Sequence, residues 1–333
     1  MDTARFVATR LVQLVVVLWL VATFTFFLIR LLPGDPVTVI APNQVGPEGK
    51  KIAAEIRKDL GLDKPLIEQY GNYLGDVARL DLGKNYGSDT PVTDTLKQAL
   101  PVSLQLMIYA QVIALAFAIP LGIFTAYRAG TRADRGINAT AFGLLALPNF
   151  VLALVLSFVI GAKLKWLPTS GYAPGWLDPL FDSTRSPDLG QHFQDMILPA
   201  ITLAVGQIAV YMRLLRSDMI ATLQENFITM AKSKGIPNRR ILWRHALRPS
   251  SLTLLTVAGL NVGALIGGAV VVEVIFGMPG MGLKIVQAIR ARQYIELQSL
   301  VLVIAVFFVL LNFLVDFMYS VLDPRIRRAR VAT

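Results

Sequence analysis

The chain has no cysteine among its 333 residues, so neither a disulfide framework nor a thiolate metal site can form. Histidine is almost as scarce. His192 and His245 stand far apart, with no acidic or histidine neighbour at ligand spacing, and no metal centre is expected. Charge is thin as well: charged residues make up 16% of the chain, against about 25% in an ordinary soluble domain, and mean hydropathy is +0.57. A large soluble core is excluded by that balance. The phosphate-loop pattern G-x-x-x-x-G-K-[ST] does not occur, which excludes ATP hydrolysis by that route on this chain. No His/Asp/Ser constellation sits inside an apolar run, and an intramembrane enzyme therefore lacks its machinery.

What is present is six long apolar runs, near residues 11–29, 100–127, 137–161, 196–215, 251–275 and 299–321. A helix needs about 20 apolar residues to cross the hydrocarbon, so each predicts a span. The first, bracketed by Arg10 and Arg30, is too long for a secretory signal and no A-x-A cleavage site follows it; it predicts a retained helix. Short-loop cations set orientation. Arg128, Arg132 and Arg135, the cluster from Arg213 to Arg248, and the tail Arg325, Arg327, Arg328 and Arg330 all fall on the side of Arg5 and Arg10. Both termini are therefore expected in the cytoplasm. Anionic lipid accounts for much of the net charge of +10, at about 1 kcal/mol per juxtamembrane cation. Nucleic-acid binding would want a soluble basic face with aromatics, which this chain does not offer.

The pattern divides the chain into residues 1–30, a tail and first span; 31–99, an extracytoplasmic segment; 100–322, five spans enclosing a cytoplasmic loop at 213–249; and 323–333, a basic tail. In the outer segment Pro33-Gly34-Asp35-Pro36 predicts a turn. Residues 47–60 predict an amphipathic helix with Ile52, Ile56 and Leu60 on one face, and a second helix from Pro65 carries Ile67, Tyr70, Leu74 and Val77 on a face. These helices suit either a lid that meets a solute-delivery partner or a cap that stabilises the bundle. In the other outer loop, residues 162–195, the tryptophan nearer the span, Trp166, suits an interfacial anchor.

Inside, residues 218–234 have helical composition and stop at Gly235, with Pro237 just after. Phe227, Met230 and Ala231 supply an apolar face at i, i+3, i+4, while Lys232 and Lys234 project from the polar remainder. Asn238 could cap a second helix over 239–247. On residues alone this segment suits a plain surface helix or a coupling element equally.

The loop reads Asn226-Phe227-Ile228, Ala231, Lys234-Gly235 and His245-Ala246-Leu247-Arg248. With Pro33-Gly34-Asp35-Pro36, Leu60-Gly61-Leu62-Asp63-Lys64-Pro65, Asp81-Leu82-Gly83, Ile197-Leu198-Pro199-Ala200, Glu273-Val274-Ile275-Phe276, Pro279-Gly280-Met281-Gly282 and Asp323-Pro324-Arg325-Ile326-Arg327, the chain resembles the permease subunits of bacterial ABC importers of the dipeptide and oligopeptide class. The ordered set covers nearly the whole chain. Most such importers carry Glu-Ala-Ala and, after three intervening residues, Gly in this loop. Counted back from Gly235 those positions hold Thr229-Met230-Ala231, so Ala231 and Gly235 match and the acidic residue is missing.

The resemblance implies an all-α polytopic protein of the bacterial cytoplasmic membrane, with six transmembrane helices in the type I ABC importer permease fold and a helical extracytoplasmic insertion after the first span. It implies a second homologous permease, two cytoplasmic ATPases that bind the ATP and Mg, and an extracytoplasmic solute-binding protein, with no cofactor or nucleic acid on this chain. The ATPase-coupling residues would be Glu225, Asn226, Phe227, Ile228, Thr229, Met230, Ala231, Lys232, Lys234 and Gly235. The fifth span would border the translocation path, where Gly259, Gly263 and Gly267 recur at small-xxx-small spacing beside Asn261. That spacing suits tight packing as readily as a pore wall. Glu273, Phe276, Pro279 and Gly280 are candidates for contact with the binding protein or an external gate, Glu273 being equally readable as a solvated rim charge. Interior prolines Pro120, Pro148 and Pro199 predict bends. Asp316, near the end of the sixth span, suits an intersubunit contact or one with the Arg325 region. Relatives of this branch carry peptides, glutathione, nickel complexes or oligosaccharides. A secondary transporter would want mid-span ionisable groups or related halves, and neither is evident.

Overall fold

The computed structural model describes residues 3–30, 57, 63–85 and 90–322. The predicted Pro33–Pro36 turn, the helix at 47–60, the basic tail and the side chain of Asp316 lie outside the described residues. The described residues are almost wholly helical, with one isolated antiparallel bridge between Lys84 and Pro91. In chain order the helices are α1 (Thr3–Arg30), α2 (Leu66–Ala78), α3 (Val92–Tyr127), α4 (Arg132–Leu145), α5 (Asn149–Leu156, continued by a π-helical stretch Ser157–Lys163) and α6 (Asp178–Phe181). They are followed by α7 (Leu189–Leu223), α8 (Asn226–Ser233), α9 (Asn238–Arg240, continued by π-helical Ile241–Ala246), α10 (Leu247–Phe276), α11 (Met281–Arg290) and α12 (Tyr294–Leu322).

Three stretches are long and apolar enough to cross a membrane: Val92–Tyr127, Leu189–Leu223 and Tyr294–Phe313. Two bent pairs each make one more span if taken together, and Val12–Phe27 is a shorter apolar stretch. The third predicted span differs from expectation. It is not one helix over 137–161; α4 and α5 meet at 99°. Pro148 occupies the N-cap of α5, and a proline pushes the preceding residue out of the helical region, so the chain turns at Leu147. Pro120 and Pro199 lie inside helices that continue through them.

The chain divides into two compact units. One comprises Met1–Leu100, Met281–Leu314 and Arg325–Thr333. In it, α2 packs on α1 through aromatics: Phe26 meets Tyr70 edge-on at 5.2 Å, and Thr23 Oγ1 lies 2.6 Å from the Tyr70 hydroxyl. The predicted face of α2 is partly corrected. Tyr70, Leu74 and Val77 are half-buried, but Ile67 is 78% exposed. Val92, Leu96, Ala99, Met281 and Leu300 form a buried cluster in the same unit. The Asp81-Leu82-Gly83 turn docks on α12: Ser299 Oγ donates to the Leu82 carbonyl at 2.8 Å. Gly83 has φ +76 there, and a Cβ would stand 2.7 Å from Ile295 Cγ2. Only glycine fits both constraints.

The other unit, Pro101–Gly280 with Val315–Pro324, is built on α3, α7 and α10. Its core joins Ala114, Ala118 and Ile123 of α3 to Tyr211, Leu215 and Met219 of α7 and Leu254 and Ala258 of α10. Close helix approach is achieved by α3, where Ala110, Ala114 and Ala118 are fully buried at four-residue spacing and Gly122 sits against Leu215. Gly267 of the predicted α10 glycine stripe does not pack this way: it is exposed, with nothing within 4 Å of a Cβ. Its neighbour Gly268 makes the close approach instead: a Cβ there would stand 3.2 Å from Leu203 Cδ2.

Candidate functional site

The loop predicted over 213–249 is shorter than expected. Residues 213–223 continue α7 and residues 238–246 run into α10, leaving 224–237 as the loop. The single helix expected over 218–234 is broken at Gln224 and Glu225, so that α8 is a separate element. Burial explains why α7 persists beyond the apolar run, since Leu215 and Met219 are both inaccessible. So does a partly buried ion pair: Arg216 Nε and Nη2 donate to the two carboxylate oxygens of Asp134 at 2.8 and 2.7 Å. Asp134 itself is held by the Gly130 amide at 2.9 Å and the Asn138 carboxamide at 2.7 Å. A bidentate guanidinium–carboxylate pair fixes orientation as well as charge, and here it ties the first turn of α4 to α7.

Around α8 the other helix ends are tied in the same manner. Asn238 Nδ2 donates to the Tyr127 hydroxyl at 3.2 Å, and Ser250 Oγ donates to Thr222 Oγ1 at 2.8 Å. Asn238 is therefore not the predicted cap; Pro237 takes the N-cap position. Within α8, Ile228 and Ala231 are buried and belong to the core that contains Ile241, Ala246 and Met219. The predicted outline of the apolar face is corrected accordingly: Ala231 points inward with Ile228, whereas Phe227 and Met230 are 44% and 56% exposed. α8 ends as its glycine requires. Gly235 has φ +74, its amide bonds to Lys232 O, and the Ile236 amide reaches back to Ala231 O at 3.2 Å, a Schellman-type closure. Glu225, Asn226, Thr229, Lys232 and Lys234 are exposed around the two apolar side chains, as are Arg239, Arg240, Arg244 and Arg248.

At the far end of α10 the candidates behave otherwise. Glu273 is 0% exposed and accepts from Ser103 Oγ at 2.6 Å. It is thus not a solvated rim charge. A Cβ on Gly280 would stand 2.3 Å from the Glu273 carboxyl carbon, so the carboxylate lies directly over that glycine. Phe276 and Gly280 are buried and Pro279 half-buried. Gly277 closes the helix at φ +62.

One cluster carries no signal in the linear pattern. In the loop between α5 and α7, Asp178 is fully buried; its Oδ2 accepts from the Gly175 amide at 2.7 Å, Tyr172 OH at 2.5 Å and Gln105 Nε2 at 3.0 Å. Arg185 Nη1 stands 2.8 Å from Oδ1. His192, equally buried, places Nδ1 2.7 Å from Ala173 O and Nε2 3.2 Å from Tyr109 OH. Asp195 accepts from the Ala173 amide at 2.8 Å. Burial, then the adjoining Asp178 carboxylate, pushes the Tyr172 phenol above its ordinary value. With every group partnered and no approach for a substrate shown, the network is a clasp that fastens the loop onto α3 and α7. Among the described residues no group of three or more His, Cys, Asp or Glu could hold a metal.

Comparison with known proteins places this geometry. Residues 118–328 match the binding-protein-dependent transport system inner membrane component family, and residues 3–107 match the N-terminal region of such membrane components. The chain belongs to that family. The fold is accordingly that of a type I ABC importer permease. Among similar proteins, one from Brucella abortus described as a peptide transport system permease is 36% identical, covering 96% of this chain and 97% of the relative. The di/tripeptide transport system permease protein of Pseudomonas aeruginosa is 35% identical, over 98% of this chain and 99% of its own length. The glutathione transport system permease protein of Escherichia coli is 33% identical, with 97% and 99% covered. As a permease of this family the chain is a multi-pass protein of the inner membrane.

Proposed function

We propose that this permease forms half of the translocation path of an ATP-driven importer for di- and oligopeptides. A second homologous permease supplies the other half, two cytoplasmic ATPases carry the ATP and Mg, and an extracytoplasmic binding protein delivers the solute. Both termini and α8 face the cytoplasm, in keeping with the arginine distribution.

The observation that carries the reading is the mounting of α8. Its inner face, Ile228 and Ala231, is seated in the same core as the long helices, so a force on α8 moves α7 and α10 as bodies. Its outer face offers Phe227 and Met230 within a field of exposed lysines and arginines, the form of an apolar anchor with a charged rim. ATP-driven closure of the ATPases would draw the two α8 elements together and open the path outward; hydrolysis would reverse it. Gly259, Asn261 and Gly263 border the path on α10. The peptide assignment rests on the similarity to peptide permeases. The glutathione permease supports a second reading, the same architecture loaded with that thiol tripeptide.

Replacing Phe227 and Met230 together by Asp tests the coupling role, because neither side chain is part of the buried core. The variant should insert and keep its companion permease, yet lose ATPase co-purification and ATP-dependent uptake by about tenfold or more, the effect of truncating interface anchors. Undiminished co-purification with undiminished uptake refutes the role.

A further inference from the structure

Four polar side chains meet in the middle of the second unit's bundle. Asn261 Nδ2 on α10 donates to Gln207 Oε1 on α7 at 3.1 Å. Tyr211 OH, one turn along α7, donates to Gln111 Oε1 on α3 at 3.2 Å and also interacts with Asn261. Gln111 Nε2 reaches the Ala258 carbonyl at 3.5 Å. The midpoints of the three apolar runs fall near residues 113, 205 and 263, so this belt lies at the centre of the bilayer, where polar groups without partners are least tolerated.

Tyr211 is fully buried, but Gln207, Asn261 and Gln111 are only half-buried. Gln207 Nε2 finds no hydrogen-bond partner among the described residues, although its oxygen is taken by Asn261. Beside it Gly206 has nothing within 4 Å of a Cβ. An amide donor left open at mid-bilayer, next to a vacant glycine surface, cannot face hydrocarbon; it faces the path shared with the companion permease, where water or a polar solute meets it. Exposed apolar neighbours such as Val112, 59% exposed, mark the faces that suit lipid.

We propose that Gln207 and Asn261 form a carboxamide subsite in the translocation path that hydrogen-bonds the main-chain amides of the passing peptide. A carboxamide presents one donor-bearing nitrogen and one acceptor oxygen, the same complement as a peptide unit, so recognition does not depend on the cargo's side chains. Being neutral, the pair holds neither terminus by charge, and a solute bound so weakly can leave again. Asn261 and Gln207 occupy each other when the site is empty, and the cargo exchanges with that bond. The inference rests on the peptide reading and adds the atoms that touch the cargo.

The cysteine-free background makes the test direct. Gln207→Cys, Asn261→Cys and the control Val112→Cys are each assembled with the companion permease, ATPases and binding protein in proteoliposomes. They are labelled with a membrane-impermeant cationic methanethiosulfonate under ATP turnover, with and without tri-alanine. Both site cysteines should react about tenfold faster than Val112→Cys, as water-facing positions do against lipid-facing ones, and tri-alanine should slow them about threefold or more by occupying the site. Labelling no faster than the control, or labelling that tri-alanine leaves unchanged while the wild-type complex imports tri-alanine, overturns the subsite. Failure of the wild-type complex to import tri-alanine overturns the peptide reading instead. Should Asn261→Cys not assemble, Gln207→Cys carries the same outcomes.

Discussion

Single atoms decide what the two kinds of glycine in this permease do. At Gly175 a Cβ would stand 2.1 Å from Gln105 Oε1 and 2.4 Å from His192 Cε1, inside a network whose members are already hydrogen-bonded. At Gly235 nothing lies within 4 Å, and only the backbone, at φ +74, asks for glycine. The two sites therefore separate steric from conformational cost. Gly235→Ala should destabilise the detergent-solubilised complex by about 1–2 kcal/mol, the left-handed penalty of an L residue. Gly175→Ala should cost more, about 1–3 kcal/mol of overpacking plus the hydrogen bonds displaced around Asp178 and His192. Thermal unfolding of the two variants beside the wild type checks the order; a larger loss at Gly235 would reverse the account. Neither histidine's role can be read from the chain alone. His192 has no acidic residue at ligand spacing in sequence, yet folding brings it to Tyr109, eighty-three residues away.

Between elements, the clamp of Asp134 on Arg216 joins α4 to α7. Asp134 is buried, so removing either partner leaves a charge without its counterpart, and breaking such a pair costs more than replacing both ends. Asp134→Leu and Arg216→Met should each lower the unfolding temperature and weaken ATP-coupled uptake. The double replacement should restore part of the loss, with a coupling of about 1–3 kcal/mol in a double-mutant cycle; strict additivity would show that the clamp is not a unit. Composition already suggested where α8 ends, because Gly235 and Pro237 stop a helix by backbone chemistry that any chain obeys. It did not show which face turns inward. Phe227 and Met230 look like core in a periodicity count, but Ile228 wins the buried position because the hollow between α7 and the start of α10 admits it together with Ala231.

For the molecule as a whole, orientation is the prediction that matters most. Thr229 on α8 and Trp166 in the loop after α5 are both exposed. In the cysteine-free chain, Thr229→Cys should be modified by an impermeant thiol reagent only from the cytoplasmic side and Trp166→Cys only from the opposite side. Labelling of both from one side would overturn the assignment of α8 to the cytoplasm, and with it any contact with cytoplasmic ATPases.

Taken alone, the amino-acid sequence determined that this protein lives in a bilayer, where its apolar runs lie and on which segment a helix must end, since transfer free energy, charge placement and the conformational limits of glycine and proline act locally. The α2 face, the extension of α7 past the apolar run and the burial of Glu273 were decided only by tertiary structure. Each depends on what distant residues press against, whether an aromatic pair on α1, a carboxylate on α4 or a serine on α3, and no local pattern encodes the neighbour that the fold supplies.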